Sequence, residues 1–169
     1  MFSIISEPAL KLINHFDMNK FKVASRTVKE NFSLANKILS KKKLTLYNAR
    51  NQAIQKSSGE LIAFLDVDDW WDKNYLNSRE EEFNNNNYDL FYNNVCTFYE
   101  KDKSLKKYRN YNLPSGKIHN SLSKDYFIII SGLIVRKKVF SKIGKFNPNF
   151  NIIGDFDFVM RASKVFSFH

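Results

Sequence analysis

The stretch LIAFLDVDDWW (residues 61–71) leads a short apolar run directly into three carboxylates. The apolar run at 61–65 predicts a strand that is buried on both faces, as in a parallel sheet. Asp66, Asp68 and Asp69 follow this strand almost at once. Because ligands of α/β proteins bind just beyond the carboxyl ends of strands, this turn is the first candidate for a functional site.

The spacing of these acids favours a divalent cation. If the extended backbone continues, alternation places Asp66 and Asp68 on the same side. Carboxylate oxygens without nearby cysteine or histidine suit Mg²⁺ or Mn²⁺, and Mg²⁺ commonly adds phosphate oxygens to one or two carboxylates. The run therefore predicts a metal–diphosphate site. The alternative is a helix N-terminus at which Asp69 or Asp72 is the cap and the other acids are solvated.

The flanking sequence predicts alternating helices and strands. YNARNQAIQKS (47–57) has helical apolar spacing with Gly59 just beyond it, so a helix precedes the strand as in half of a βαβ unit. Asp72 is expected to cap the next helix. Further helices are predicted at 73–83, 118–124, 137–143 and 155–166, and strands within 88–99, 107–111 and 126–136.

Composition narrows the class of protein. A chain of 169 residues with 43% hydrophobic residues fits one folded domain. The net charge of +10 favours anionic partners such as phosphorylated molecules, an acidic membrane surface or nucleic acid, although scattered lysines are often only solvated. Cys96 is the single cysteine and is expected to be a buried thiol. Without a predicted signal peptide or membrane span, we expect a cytoplasmic protein.

Two blocks of the sequence resemble one enzyme family. ARNQAIQKSSGELIAFLDVDDWW (49–71) closely resembles the central motif of family-two glycosyltransferases, and SGLIVRKKVFSKIGKFNPNFNIIGDFDFVMR (131–161) resembles their acceptor half. The resemblance implies an α/β fold of GT-A (Rossmann-like) type, with a mostly parallel central sheet flanked by helices. It also implies a single domain, with the nucleotide-sugar half at 1–69 and the acceptor half at 70–169.

The resemblance implies roles for the residues of the first block. Asp66 and Asp68 would contact the sugar nucleotide and its divalent metal, Mn²⁺ or Mg²⁺, with Asp68 as the direct ligand. Asp69 would support them within the donor site. Arg50 would either lie near the donor diphosphate or pin the loop. Trp70, together with Trp71, would form an apolar platform for a sugar acceptor, although large aromatic side chains usually bury, so at least one is expected in the core.

The second block supplies the implied catalytic residue. Asp155 would be the general base that takes a proton from an acceptor hydroxyl. Its alternative role is to cap the helix that it opens. Asp157 is expected to be structural, within the first helical turn, and Arg161 to form an ion pair with one of these acids.

The implied function is transfer of a sugar from a nucleotide-sugar to a hydroxyl acceptor, with inversion and with a metal. The acceptor would be a surface polysaccharide or a lipid-linked glycan, with possible peripheral contact at the cytoplasmic face of a membrane. The first third matches only a strand, FSIISEP (2–8), and shows no acidic motif for the nucleotide base. We therefore expect a divergent or shortened N-terminal part and a truncated C-terminus.

Two other classes of protein compete with this interpretation. A degenerate transferase-like domain would bind a sugar, a nucleotide or a partner without turnover. Haloacid-dehalogenase-like phosphatases also place Asp-x-Asp after an apolar strand, but they need Thr or Val shortly after the second acid, where this chain has Asp69-Trp70. Nucleic-acid binding rests on charge alone and has no recognisable motif, so we expect no nucleic-acid partner.

Overall fold

The computed structural model describes residues 45–66 and 68–169, so the first 44 residues, most of the predicted nucleotide-sugar half, lie outside the described residues. Helices and strands alternate along most of the described part. The elements are α1 (Leu46–Lys56), β1 (Leu61–Ala63), α2 (Tyr75–Asn85), β2 (Leu90–Tyr92), β3 (Cys96–Tyr99), β4 (Ser104–Lys107), α3 (His119–Lys124), a 3-10 turn (Ile130–Gly132), β5 (Leu133–Arg136), α4 (Lys137–Ile143) and α5 (Gly154–Val165).

A three-stranded sheet with the order β1-β5-β2 forms the centre of the described part. β5 runs antiparallel to both neighbours and pairs Ile62 with Val135 on one side and Leu90 with Val135 on the other. The outer strands β1 and β2 therefore run in the same direction, as expected of strands joined through a helix. Every pairing described within this sheet is antiparallel, so the expected mostly parallel arrangement is not seen in this part of the chain.

Among residues 45–66 and 68–169, strands β3 and β4 pair with each other and with no other strand, in a two-stranded hairpin. Three of the four residues of β3 are exposed, Cys96 among them. The expectation of a buried thiol at Cys96 is therefore wrong. An apolar, aromatic run is typical of a core strand, but in the described part of the chain this hairpin leaves most of its side chains exposed.

The core between the sheet and the C-terminal helices is largely aromatic. Phe158 of α5 is fully buried, with its ring centroid 5.0 Å from that of Phe140 and 4.9 Å from that of Phe146. Phe64, which follows β1, packs edge-on against Phe146 at 5.5 Å. Such ring pairs add to the free energy gained from apolar burial. The cluster fixes the end of β1 against α5, and both of these elements carry predicted site residues.

Most predicted helices are confirmed to within two residues. Thr45 begins α1, because its Oγ1 accepts a hydrogen bond from the backbone N–H of Asn48 at 3.4 Å. Gly144, with φ of +81°, ends α4 in a conformation that glycine adopts without strain. Within the described residues, no helix combines the length and the apolar character required to cross a membrane.

Three further local predictions are wrong. The strand expected at 107–111 lies instead at Ser104–Lys107. The second helix begins at Tyr75 with Asn74 at its N-cap, so neither Asp69 nor Asp72 caps it; Asp72 Oδ1 instead accepts from the Asn74 N–H at 2.9 Å, just before the helix. The apolar run at 126–136 forms a strand only from Leu133, because a 3-10 turn occupies Ile130–Gly132. Apolar composition alone does not separate a buried strand from a buried turn.

Replacing Phe158 with alanine should lower the free energy of unfolding by about 3–5 kcal/mol, because it empties the centre of the aromatic cluster. Phe156→Ala on the same helix is the matched control, since Phe156 is 40% exposed. We expect the control to cost less than about 1 kcal/mol. Urea denaturation of both variants measures the difference. Equal losses would show that Phe158 does not occupy the centre of the core.

Candidate active site

Arg50 fixes the position of Asp66. Its guanidinium is only 4% exposed and donates from Nη2 to Asp66 Oδ1 at 2.7 Å. The guanidinium carbon also lies 5.8 Å from the ring centroids of both Tyr47 and Phe146. A buried cation is tolerated only when it is paired, and the aromatic faces add a favourable interaction. Of the two positions expected for Arg50, the structure therefore shows the contact with the carboxylate turn.

Ser131 joins the two ends of the carboxylate turn. The backbone N–H of Asp66 donates to Ser131 Oγ at 3.1 Å, and this hydroxyl donates to Asp69 Oδ2 at 2.5 Å. The carbonyl of Ser131 accepts a hydrogen bond from Trp71 Nε1 at 2.7 Å. The turn itself is closed by the Asp69 N–H, which donates to the Asp66 carbonyl at 3.1 Å. The carboxylate of Asp69 thus holds the shape of the turn.

Asp68 and the second oxygen of Asp66 are the groups of the turn that suit a cation. Asp68 is exposed, and the Asp66 side chain keeps 42% of its surface accessible despite its ion pair. Two carboxylates match the number that Mg²⁺ commonly takes when phosphate oxygens complete its coordination. No group of three or more metal-ligating side chains occurs among the described residues. The donor set therefore fits a hard cation shared with a phosphate-bearing ligand.

Asp155 lies in the first turn of α5, and its two carboxylate oxygens differ. Oδ1 accepts from the Phe156 N–H at 3.1 Å and lies 3.1 Å from the hydroxyl of Tyr47, which also donates to the Ile152 carbonyl at 2.6 Å. Within the described residues, Oδ2 has no hydrogen bond. The N-cap of α5 is Ile153, without a side-chain hydrogen bond, so the alternative in which Asp155 caps this helix is not seen.

Two tyrosines lie close enough to Asp155 for its negative charge to affect their pKa values. Burial raises the pKa of Tyr47, and the negative charge of Asp155 raises it further. Burial likewise raises the pKa of Tyr126 well above its ordinary value, again with a contribution from Asp155. Both phenols therefore stay protonated at neutral pH, and the single Tyr47 proton is shared between the Ile152 carbonyl at 2.6 Å and Asp155 Oδ1 at 3.1 Å.

The two tryptophans after the turn have different surroundings. Trp71 is partly buried, with its ring 5.1 Å from that of Tyr75, and its indole N–H donates to the Ser131 carbonyl. Trp70 is 64% exposed and packs edge-on against Phe98 of the β3–β4 hairpin at 5.5 Å. Only Trp70 therefore offers an open aromatic face. Its predicted acceptor role, like that of Trp71, stays a prediction.

Asp157 and Arg161 form the structural pair expected of them. Arg161 Nη2 lies 2.9 Å from Asp157 Oδ2 on the same face of α5. The guanidinium also donates to the carbonyls of Ile143 and Lys145, at 2.6 and 2.8 Å. These contacts tie the end of α4 to α5. Of the two acids in the first turn of α5, Asp155 is the one that lies against Tyr47.

Sequence reasoning missed two residues that position the site, Tyr47 and Ser131. Tyr47 lies three residues before Arg50 and therefore on the same helical face, a spacing that points to a shared task. Ser131 is a polar residue within the apolar run FIIISGLIV (127–135), which was a signal of a buried hydrogen-bonding role. Neither signal identifies the partner, because the partners lie 62 to 108 residues away in sequence.

The described residues have an α/β fold of the GT-A class, with the carboxylate turn at the end of β1. The sequence model of glycosyl transferase family 2 matches residues 22–144, well over half of the chain. The chain therefore belongs to glycosyl transferase family 2, which confirms the implied family and excludes the phosphatase alternative. The match begins upstream of the block at 49–71 and ends before Asp155. A search of curated protein sequences found no match.

Two solved structures of TarS residues 1–349 from S. aureus share the fold. One covers 82% of this chain with a TM-score of 0.54 and 16% sequence identity. The other, described as a complex with UDP, covers 85% of this chain with the same TM-score and identity. In both cases the match spans 47% of the TarS chain, so this chain corresponds to about half of that length.

Replacing Ser131 with alanine removes the hydroxyl that joins Asp66 to Asp69. Because Ser131 is only 5% exposed, both partners lose a largely buried hydrogen bond, and we expect the free energy of unfolding to fall by about 1–3 kcal/mol. Ser123→Ala is the control, since its hydroxyl donates only to His119 within the same helix. Its cost should stay near about 0.5 kcal/mol. Equal denaturation midpoints for the two variants would contradict the assigned role of Ser131.

Proposed function

We propose that this chain transfers a sugar from a nucleotide-sugar to a hydroxyl group of an acceptor glycan, in a divalent-metal-dependent reaction that inverts the anomeric centre. One observation carries the proposal: side chains on a single face of α1 contact both the candidate metal-binding turn and the candidate base. Arg50 is paired with Asp66 of the carboxylate turn, and Tyr47, one helical turn earlier, lies against Asp155. The UDP described in the TarS complex supports a nucleotide donor for a chain of this fold.

The donor side of the proposal rests on the carboxylate turn. Asp68 and the open oxygen of Asp66 would bind Mn²⁺ or Mg²⁺ together with the diphosphate of the donor. When bound, the metal would neutralise negative charge on the departing nucleoside diphosphate. Arg50 and Asp69 act on this site through the turn, because one fixes the Asp66 side chain and the other fixes the backbone through Ser131. This arrangement is set before any ligand arrives, which is what electrostatic catalysis requires.

The acceptor side rests on Asp155. Its Oδ1 is held by the Phe156 N–H, and its Oδ2 is left to accept the proton of an acceptor hydroxyl. As that proton moves to Oδ2, the acceptor oxygen forms a bond to the anomeric carbon. The bond between this carbon and the diphosphate oxygen breaks, and its electron pair leaves with the nucleoside diphosphate. A single displacement of this kind inverts the configuration.

Titration with UDP and GDP, with and without Mn²⁺, tests the donor site. We expect Mn²⁺-dependent binding of at least one nucleotide, and its loss in Asp68→Ala, because one of two carboxylate ligands is removed. Asp72→Ala is the matched control: it removes an exposed carboxylate four residues away, whose bond is to the Asn74 backbone. Calorimetry measures both. Binding that survives in Asp68→Ala, or that is lost equally in both variants, would contradict the metal site.

Release of nucleoside diphosphate from a panel of nucleotide-sugars tests the base. Asp155→Asn should preserve nucleotide binding and lower turnover by about 10²–10⁴-fold, since an amide oxygen is a poor proton acceptor. Asp157→Asn on the same helix is the control and should keep its turnover per folded molecule, because Asp157 pairs with Arg161. Unchanged turnover in Asp155→Asn would rule out the base assignment. Nucleotide binding without release from any donor would favour the non-catalytic alternative.

A further inference from the structure

A cavity of about 310 Å³ lies beside the candidate active site, between the end of β2 and the segment that follows β4. Asparagines supply four of its nine lining residues, and two tyrosines and two cations supply four more. No aspartate or glutamate lines it. A wall of amides, phenol rings and positive charge is unsuited to an apolar ligand and suits a polar, negatively charged one.

The walls of this cavity are held rigidly by backbone contacts. The Asn94 side chain donates to the Arg109 carbonyl at 2.7 Å and accepts from the Arg109 N–H at 3.2 Å, so it joins the two walls. The guanidinium of Arg109 donates from Nη2 to Asp125 at 2.8 Å and to the Tyr126 carbonyl at 3.0 Å. Since these bonds exist without a ligand, binding would cost little conformational entropy for ordering the cavity walls.

Several polar groups of the lining are left for a ligand. Within the described residues, the side chains of Asn110 and Asn112 make no hydrogen bond, and Lys107 has no ion pair. The Nε of Arg109 is buried and has no hydrogen-bond partner there either. Paired amide donors and acceptors match the neighbouring hydroxyls of a sugar, whereas Lys107 matches an anionic substituent.

The cavity is connected to both parts of the candidate active site. The Asn93 N–H on its wall donates at 3.2 Å to the carbonyl of Gly132, and the preceding residue, Ser131, hydrogen-bonds to the carboxylate turn. On the other side, Arg109 bonds to Tyr126, whose ring lies 5.1 Å from that of Phe156, next to Asp155. These contacts tie the walls of the cavity to the segments that carry the candidate reacting groups.

We propose that this cavity is an acceptor subsite for an anionic sugar unit, one that carries a phosphate or a carboxylate beside its hydroxyls. The role of this subsite in binding the acceptor rests on the proposed function. The binding of an anionic sugar rests on the lining of the cavity itself. The ligand would place its hydroxyls against Asn110 and Asn112 and its anionic group towards Lys107.

Lysine variants of β4 provide a matched test. Lys107 lines the cavity, whereas the ammonium group of its neighbour Lys106 lies 4.9 Å from the ring centroid of Tyr99 and does not line it. Lys107→Met and Lys106→Met therefore remove the same charge from adjacent residues. The probes are glucose 6-phosphate, glucuronic acid and neutral glucose, each titrated without nucleotide into ¹⁵N-labelled protein while the side-chain amide signals of Asn110 and Asn112 are followed by NMR.

We expect the two anionic sugars to shift these amide signals and glucose to bind more weakly. Lys107→Met should weaken the binding of the anionic sugars by about tenfold, roughly one charge-assisted hydrogen bond, and Lys106→Met by less than about twofold. Preference for glucose 6-phosphate over glucuronic acid would identify phosphate as the anionic group, and the reverse preference would identify carboxylate. Unmoved amide signals, or equal weakening in both lysine variants, would overturn the proposal.

A nucleotide titration of the same sample separates this proposal from the proposed function. If UDP or GDP binds with Mn²⁺ while the anionic sugars leave Asn110 and Asn112 unmoved, the subsite is wrong and the donor site stands. If the sugars bind in the cavity and neither nucleotide binds, the anionic-sugar site stands and its role as an acceptor subsite is overturned.

Discussion

The buried ion pair between Arg50 and Asp66 is the constraint on which the described structure depends. A guanidinium that is 4% exposed has lost its hydration, and only a paired carboxylate offsets that loss. The turn after β1 must therefore return to α1, and it cannot drift away without leaving a buried charge unpaired. The rings of Tyr47 and Phe146 close the remaining sides of the cation. The carboxylate turn therefore has one favoured position, because any other would leave the buried guanidinium of Arg50 without its ion pair.

The same helix extends this constraint to the rest of the site. Asn51, next to Arg50, exchanges two hydrogen bonds with the backbone of Phe146, at 2.8 and 3.0 Å. Tyr47, one turn earlier, reaches Asp155, and Gly154 is required there because a Cβ at that position would lie 2.6 Å from the Tyr47 ring. Arg50 and Asn51 of the Ala-Arg-Asn motif hold two distant segments, and Tyr47 on the same helix holds a third.

The sequence predicted the elements whose signal is local. The helix at 137–143 was predicted at its observed bounds, because its apolar residues lie within it and Gly144 follows it directly. The carboxylates of the turn could also be predicted from the sequence, since they directly follow a buried strand. The strand predicted within 126–136 was too long, because a buried 3-10 turn is as apolar as a strand. Cys96 was predicted to be buried, but burial depends on which layer covers a segment. Ser131 was missed, as was the contact of Tyr47 with Asp155, since both contacts join residues far apart in sequence.

The placement of the amide-lined cavity separates specificity from chemistry. Its lining comes largely from the segment that leaves the β3–β4 hairpin, which pairs with no strand of the central sheet. The carboxylate turn and Asp155 are instead tied to α1 and to the aromatic core. Substitutions in the cavity therefore change what is bound there without breaking the contacts that hold the reacting groups. A rigid scaffold with a variable wall is the arrangement by which one fold serves many substrates.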